Sequence, residues 1–517
     1  MSGDEQHEGQ ASRSEQIAAL CMERGDEGRL IELLHGDRRR VLVRRAALFV
    51  LGMTLSLVAH AEQRYLGRVL RGEVALDGSP QYRPRHAVPE DAAIDWASVH
   101  SRLLPAWIIA RGSTRGTITD REDRAQRAYT ELRYAFAADR NLVELFDELE
   151  TRLEDPIGSS DRIDYLLWAY NDYLQQRDVP WRLEADLHVR RDGDPTLLTR
   201  SYEVLEDLRS AEGHRLRLLR RADLTNIDEG FLGHVSAREQ GALVMLDQVL
   251  QFGIRHVWPV LHGGLDARLP DTAQGIAPHV RTEALGVLSA RQYMLLHETA
   301  VDQQALIEVA ASIHQRSTCG NRFRIYGLPW NGLEPPDQRA LVEALGRSNG
   351  EECPEVTLGE AARMLGASER LGSTPGLADA VESLTTFVSR AVSVHELQHV
   401  ADGRGVECHA CPDGMSAAAR DELSAYLASF ATPGIGYVAL LQACSMEPAG
   451  EDVSTAPHAQ ALALAFEAVL PHGCRGEIPE DLYERASDAE RQFFGERPAP
   501  SVPERYPARV TLLARRN

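Results

Sequence analysis

One run of positions in the C-terminal third falls on a single helical line. Leu384, Val388, Ala391, His395 and His399 follow one another at spacings of four, three, four and four. That spacing predicts one stripe on a helix over about 380–401. The first three members are apolar, so the stripe faces inward. The last two are imidazoles, and a buried polar group needs a partner. A second helix is expected over 416–432, preceded by Pro412-Asp413-Gly414 and ended by Pro433-Gly434. Ala419, Glu422, Tyr426 and Ser429 share one of its faces.

The same reading along the chain predicts helices over 14–36, 120–153 and 160–177. Leu132, Phe136, Leu142, Leu145, Phe146 and Leu149 are the core positions of the second stretch. The pattern changes at Pro180. Residues 181–189 alternate apolar and polar, as a half-buried strand does, and Asp192-Gly193-Asp194 is a turn signal. Strand-like runs at 197–208 and 214–220 complete a small antiparallel sheet, followed by a helix near 237–252. From 275 onward the chain reads as helical, with short strands at 322–326 and 355–358. The expected fold is α+β and helix-dominated. A polar tail at 1–37, a segment at 38–61, a helical region at 62–178 and a small α+β region at 179–270 precede a chemistry-bearing domain at 271–517. No internal repeat is visible.

Residues 46–61, AALFVLGMTLSLVAHA, are apolar and follow Arg38, Arg39, Arg40, Arg44 and Arg45. A basic flank before an apolar run is the pattern of an export signal or signal anchor. On that reading the chemistry-bearing domain is extracytoplasmic and residues 46–61 give membrane association. The competing reading is a buried helix in a cytoplasmic protein.

Composition narrows the chemistry. The net charge is -21 over 517 residues, which repels phosphate backbones and argues against nucleic acid as a partner. The chain contains no lysine, as an arginine-biased, GC-rich bacterial genome would produce. P-loop, protein-kinase and Schiff-base chemistry all need a lysine, so they are excluded. Six of the seven cysteines follow the apolar segment. Cys408 and Cys411 lie between the two helices of interest. They could pair with each other, pair with Cys444 or Cys474, form half a structural zinc site, or remain free thiols.

Zinc explains the histidine end of the stripe. Histidines at i and i+4 can reach one ion, and Glu396, beside the first, can take a proton from water. A third ligand is needed. Glu422 is the candidate and Asp421 the fallback.

His395-Glu-Leu-Gln-His399 and Asp421-Glu422, with 22 residues between His399 and Glu422, resemble the gluzincin metallopeptidases. The likeness covers about residues 380–432. It implies a zincin-like catalytic domain, Zn²⁺ as cofactor and a protein or peptide substrate. It also implies that Asp402 steadies a ligand histidine. Such enzymes add an oxyanion donor, for which Tyr426, Tyr437, His472 and Arg475 are available. The metzincin pattern fails, because Asp402 and Gly405 stand where it needs Gly and His. The expected function is a zinc-dependent peptidase. The alternatives are a non-catalytic binding or assembly protein with a structural zincin domain, and a metal-dependent hydrolase of another amide or ester.

Overall fold

The structure is a computed structural model. It describes residues 82–89, 93–112, 118–153, 159–189, 195–222, 232–236, 241–316, 357–403, 405–446, 456–470, 472–498 and 500–512. The expectations for 14–36, 46–61 and 322–326 lie outside these residues. Among the described residues, no helix is long and apolar enough to cross a membrane. The chain divides into two units, Met1–Arg85 and His86–Asn517. Every element below belongs to the second.

Helices come first: α1 (Leu104–Gly112), α2 (Ile118–Ala135), α3 (Arg140–Arg152) and α4 (Ser160–Gln176). The stretch expected as one helix over 120–153 is two. Asp139 makes the break: its carboxylate accepts from the backbone N–H groups of Asn141 and Leu142, starting α3. All six predicted core positions of this stretch are buried.

A five-stranded sheet follows: β1 (Trp181–Val189), β2 (Pro195–Arg209), β3 (Arg215–Arg221), β4 (Gly233–Ser236) and β5 (Gly241–Met245). Their order is β1-β2-β3-β5-β4, and β3 runs parallel to β5 while the other pairs are antiparallel. The sheet is therefore mixed, not antiparallel as expected. The helix expected over 237–252 is also corrected. Residues 241–245 are a strand buried on both faces, and α5 (Leu246–Phe252) begins only after it. A fully buried strand has no alternation to distinguish it from helix. The sheet curls far enough for its two edge strands to meet. His234 on β4 lies 2.7 Å from Glu184 on β1 through Nε2 and Oε2.

The remaining helices are α6 (Ala277–Val287), α7 (Ala290–Arg316), α8 (Leu358–Ser373), α9 (Leu377–Asp402), α10 (Ala417–Ala431), α11 (Gly436–Ser445), α12 (Pro457–Val469) and α13 (Leu482–Phe494). The strand expected over 355–358 is overturned where it is described. Thr357 and Glu360 form a reciprocal capping box that starts α8.

Helix α9 is the axis of the core. Leu384, Val388 and Ala391 are each no more than 2% exposed, so the predicted stripe does face inward. One continuous apolar core runs from Leu208 to Leu512 and joins the sheet to the C-terminal helices. A second, polar stripe on α9 is covered by the end of the chain. Val510 N–H donates to Thr386, Leu512 N–H to Glu382, and the Tyr506 hydroxyl meets Ser389 and Ser393. These contacts satisfy buried polar groups that would otherwise destabilise the helix.

Candidate metal centre

Three side chains from two helices converge. His395 and His399 lie one turn apart on α9, and Glu422 comes from the first half of α10. Ser416 caps α10 by accepting from the Ala419 N–H, which sets where that helix starts. His395 Nε2 and His399 Nε2 are 3.2 Å apart. Glu422 Oε2 is 3.3 Å from His395 Nε2 and 3.7 Å from His399 Nε2.

Those separations can be tested against a metal. Donors about 2.0–2.1 Å from a tetrahedral ion are roughly 3.4 Å from one another. The three observed edges scatter around that length. A second observation agrees. Glu422 Oε2 is buried and faces three ring nitrogens, His458 Nδ1 at 3.0 Å, His395 Nε2 at 3.3 Å and His399 Nε2 at 3.7 Å, none of them in good hydrogen-bond geometry. An oxygen crowded by nitrogens from two directions suits a shared cation, so the donor set fits Zn²⁺. Among the described residues, His395, His399 and Glu422 are the group able to hold a metal ion. Three protein donors leave a tetrahedral ion one open position.

The electrostatics point the same way. Burial opposes charge on both Glu422 and His399, but their mutual contacts outweigh it. Glu422 is held far below the usual carboxylate range by His395, His399 and His458. His399 is pushed up to about 10 by Asp421 and Glu422. Burial raises the Glu396 carboxyl, against the pull of the neighbouring histidines.

Glu396 is 6% exposed and lies under the edge strand β4. A Cβ placed on Gly233 would be 2.7 Å from both Cγ and Oε1 of Glu396. Only glycine leaves room for the carboxylate there.

The other expected residues divide. Tyr426 belongs to the site: its ring packs edge-on to His395 and its hydroxyl is 3.1 Å from His458 Nδ1. Tyr437 does not serve as an oxyanion donor, because its hydroxyl donates to the carbonyls of Pro479 and Glu480 and its ring stacks on His279. His472 and Arg475 are exposed residues outside the metal-ligating group. Asp402 corrects the expectation made for it. It accepts from Gln398 and Arg497 at 2.8 and 2.6 Å, and from the Ser424 hydroxyl, so it ties α9 to α10 and to the chain after α13. The place behind a candidate ligand histidine belongs to Asp421, whose Oδ2 is 3.0 Å from His399 Nδ1. Asp421 is thus neither a ligand nor idle.

His458 was not singled out from the sequence. It sits in the first turn of α12, and its Nδ1 lies 3.0 Å from Glu422 Oε2. Its side chain is 52% exposed, so it stands at the solvent side of the centre. A lone histidine 36 residues after Glu422 carries no spacing signal; only the packing of α12 on α10 brings it in. Cys408–Cys411 and Cys444–Cys474 are disulfides, which replaces the half zinc site weighed for Cys408 and Cys411.

No family model, curated protein or solved structure matches this chain.

Proposed function

We propose that the chain is a zinc-dependent peptidase with Glu396 as its general base. The observation that carries the reading is the tetrahedral spacing of the His395, His399 and Glu422 donor atoms, with Glu396 buried beside them. When bound, the ion supplies Lewis acidity, which makes water acidic enough for a carboxylate base and polarises a carbonyl.

The chain's own residues supply the rest. Glu396 accepts a proton from the attacking water and returns it to the departing amine. His458 offers an N–H on the solvent side, and the buried Tyr426 hydroxyl lies 3.1 Å from its Nδ1; the pair stands where negative charge would develop on the carbonyl oxygen. Among the described residues the outer edge of β4 has no strand partner. His234 on that strand nevertheless reaches Glu184 on the opposite edge strand, so the edge is not open along its length. The choice of peptides over other amides or esters rests on the likeness of residues 380–432 to the gluzincin peptidases. A structural zinc would call for four protein donors, and three converge among the described residues.

The test compares the zinc-loaded wild type with Glu396→Gln on casein and on a mixed peptide library. The wild type cleaves and a chelator stops it. The variant keeps stoichiometric zinc and its fold but loses cleavage. A wild type that holds zinc and cleaves no peptide overturns the reading.

A further inference from the structure

Edge strand β4 is gripped on both of its faces, and strand register separates the two. Gly233 pairs with Val244, which belongs to the core around α9. Gly233 therefore faces α9, where it lies against Glu396. His234 pairs with Leu243, which packs with Tyr202, Leu219 and Met245 in a separate apolar cluster on the other face of the sheet. Glu184 of β1 shares that second face, because Arg182 pairs with Tyr202 and Glu184 with Arg200. There His234 Nε2 donates to Glu184 Oε2 at 2.7 Å.

This contact closes what backbone pairing leaves open. Among the described residues β4 pairs with β5 alone and β1 with β2 alone. A strand of four residues with one partner has few backbone bonds to hold it. Glu184 makes a firm anchor. Arg182 Nη2 donates to its Oε1 at 2.9 Å, which leaves Oε2 for His234. The Glu184 side chain is 14% exposed, so solvent screens the bond only in part. Burial opposes charge on both partners. On Glu184 the pull of Arg182 and His234 outweighs it, and on His234 the pull of Glu184 and Glu396 does so against Arg200. The bond is therefore of the charged, stronger kind.

His234 and Gly233 are neighbours in the chain, so a shift of one carries the other. We propose that Glu184 and His234 form a latch that positions the general base: by tying β4 to β1 they keep Gly233 pressed against Glu396, and Glu396 beside the candidate metal ligands. Both are positioning residues and act through Glu396. Without their bond, β4 is free to swing away from α9, and the carboxylate loses the backbone wall that confines it. The inference rests on the peptidase reading for the role of Glu396, but the latch itself can be read without turnover.

The experiment compares the full zinc-loaded chain with His234→Ala, His234→Gln, Glu184→Ala and the double alanine variant. Peptide cleavage gives kcat and KM, metal analysis gives zinc content, and amide hydrogen exchange reports on β4 and β5. Each alanine variant should lower kcat about tenfold or more, as a displaced catalytic group does, with KM and zinc content unchanged. Exchange should quicken in β4 and β5 and stay as in the wild type in α9 and α10. The double variant should lose no more than the worse single one, because both remove the same bond. His234→Gln can place an N–H where Nε2 stands, so it should recover most of the kcat and most of the protection. Slower turnover without faster exchange, or faster exchange with kcat intact, overturns the latch. So do losses that add, or a glutamine variant no better than alanine. If the wild type cleaves no peptide, the peptidase reading falls and exchange alone decides. Faster exchange in β4 that His234→Gln reverses keeps the pair as the hold on that strand. Unchanged exchange in the alanine variants overturns it.

Discussion

Gly233 and Glu396 are in contact across the boundary between sheet and helix: a methyl group on Gly233 would lie 2.7 Å from the Glu396 Cγ and Oε1. The edge strand thus fixes where the carboxylate can be. Gly233→Ala should push Glu396 aside without touching a metal ligand. The expected result is unchanged zinc stoichiometry, a stability loss of about 1–3 kcal/mol from overpacking, and a fall in kcat of roughly a hundredfold or more. Metal analysis, denaturation and turnover on one preparation check it. Full activity in the alanine variant would mean that Glu396 does not need this position.

How much of this was legible in the sequence depends on the distance over which each signal acts. The stripe Leu384, Val388, Ala391, His395, His399 repeats within one helix, so spacing alone exposed it. Glu422 was reachable because the second helix has clear ends and few polar residues on its inner face. His458, Gly233 and the true role of Asp421 depend on how elements pack, and no local pattern reports that. Asp402 misled for the same reason. Its spacing from His399 is right, but Arg497, from nearly a hundred residues later, takes its carboxylate. The parallel pairing of β3 with β5 was hidden because β5 is apolar throughout its buried length.

The carboxylates near the histidines should separate cleanly by function. Glu422→Ala removes a donor and should abolish stoichiometric zinc. Asp421→Asn leaves all three donors but loosens the hold on the His399 ring, and should weaken zinc about 10–100-fold. Asp402→Asn should leave zinc affinity unchanged and lower stability instead, because it removes one of the two carboxylates paired with the part-buried Arg497, leaving Glu490 at 3.1 Å. Competition with a chromophoric chelator measures the first two, and chemical denaturation the third. Zinc loss in the Asp402 variant equal to that of Asp421→Asn would return Asp402 to the metal site.

The two disulfides should differ in worth. Cys444–Cys474 closes a loop with a sequence separation of 30, whereas Cys408–Cys411 has a separation of 3. Constraint of the unfolded chain grows with loop length, so the longer bridge should contribute about 3–4 kcal/mol and the shorter one clearly less. Cys444 and Cys474 are also buried, at 3% and 1% exposure, so the pair can be replaced by alanine without leaving a hydroxyl unsatisfied. Denaturation of the two double-alanine variants, each against wild type, checks the ranking. Equal losses would show that the short bridge does more than close its own turn.

Glu283 should make stability fall as pH rises. Its carboxyl sits at the start of α11, where it accepts from the N–H groups of Tyr437 and Val438, both at 2.9 Å, and from the Tyr483 hydroxyl at 2.7 Å. Burial nevertheless dominates and pushes it up to about 7, against the hydrogen bonds that hold it down. The folded state therefore keeps a proton that the unfolded state releases near its ordinary value of 4.5. Stability from this group is fully present below about pH 4.5 and is lost as pH rises through about 7. The total change is on the order of 3 kcal/mol. Glu283→Gln does not titrate, so the wild type should lose ground to the variant between pH 5 and pH 8. Chemical denaturation of both proteins at the two pH values measures the difference. A constant gap would mean that Glu283 is ionised in the fold throughout, and that its three donors outweigh its burial.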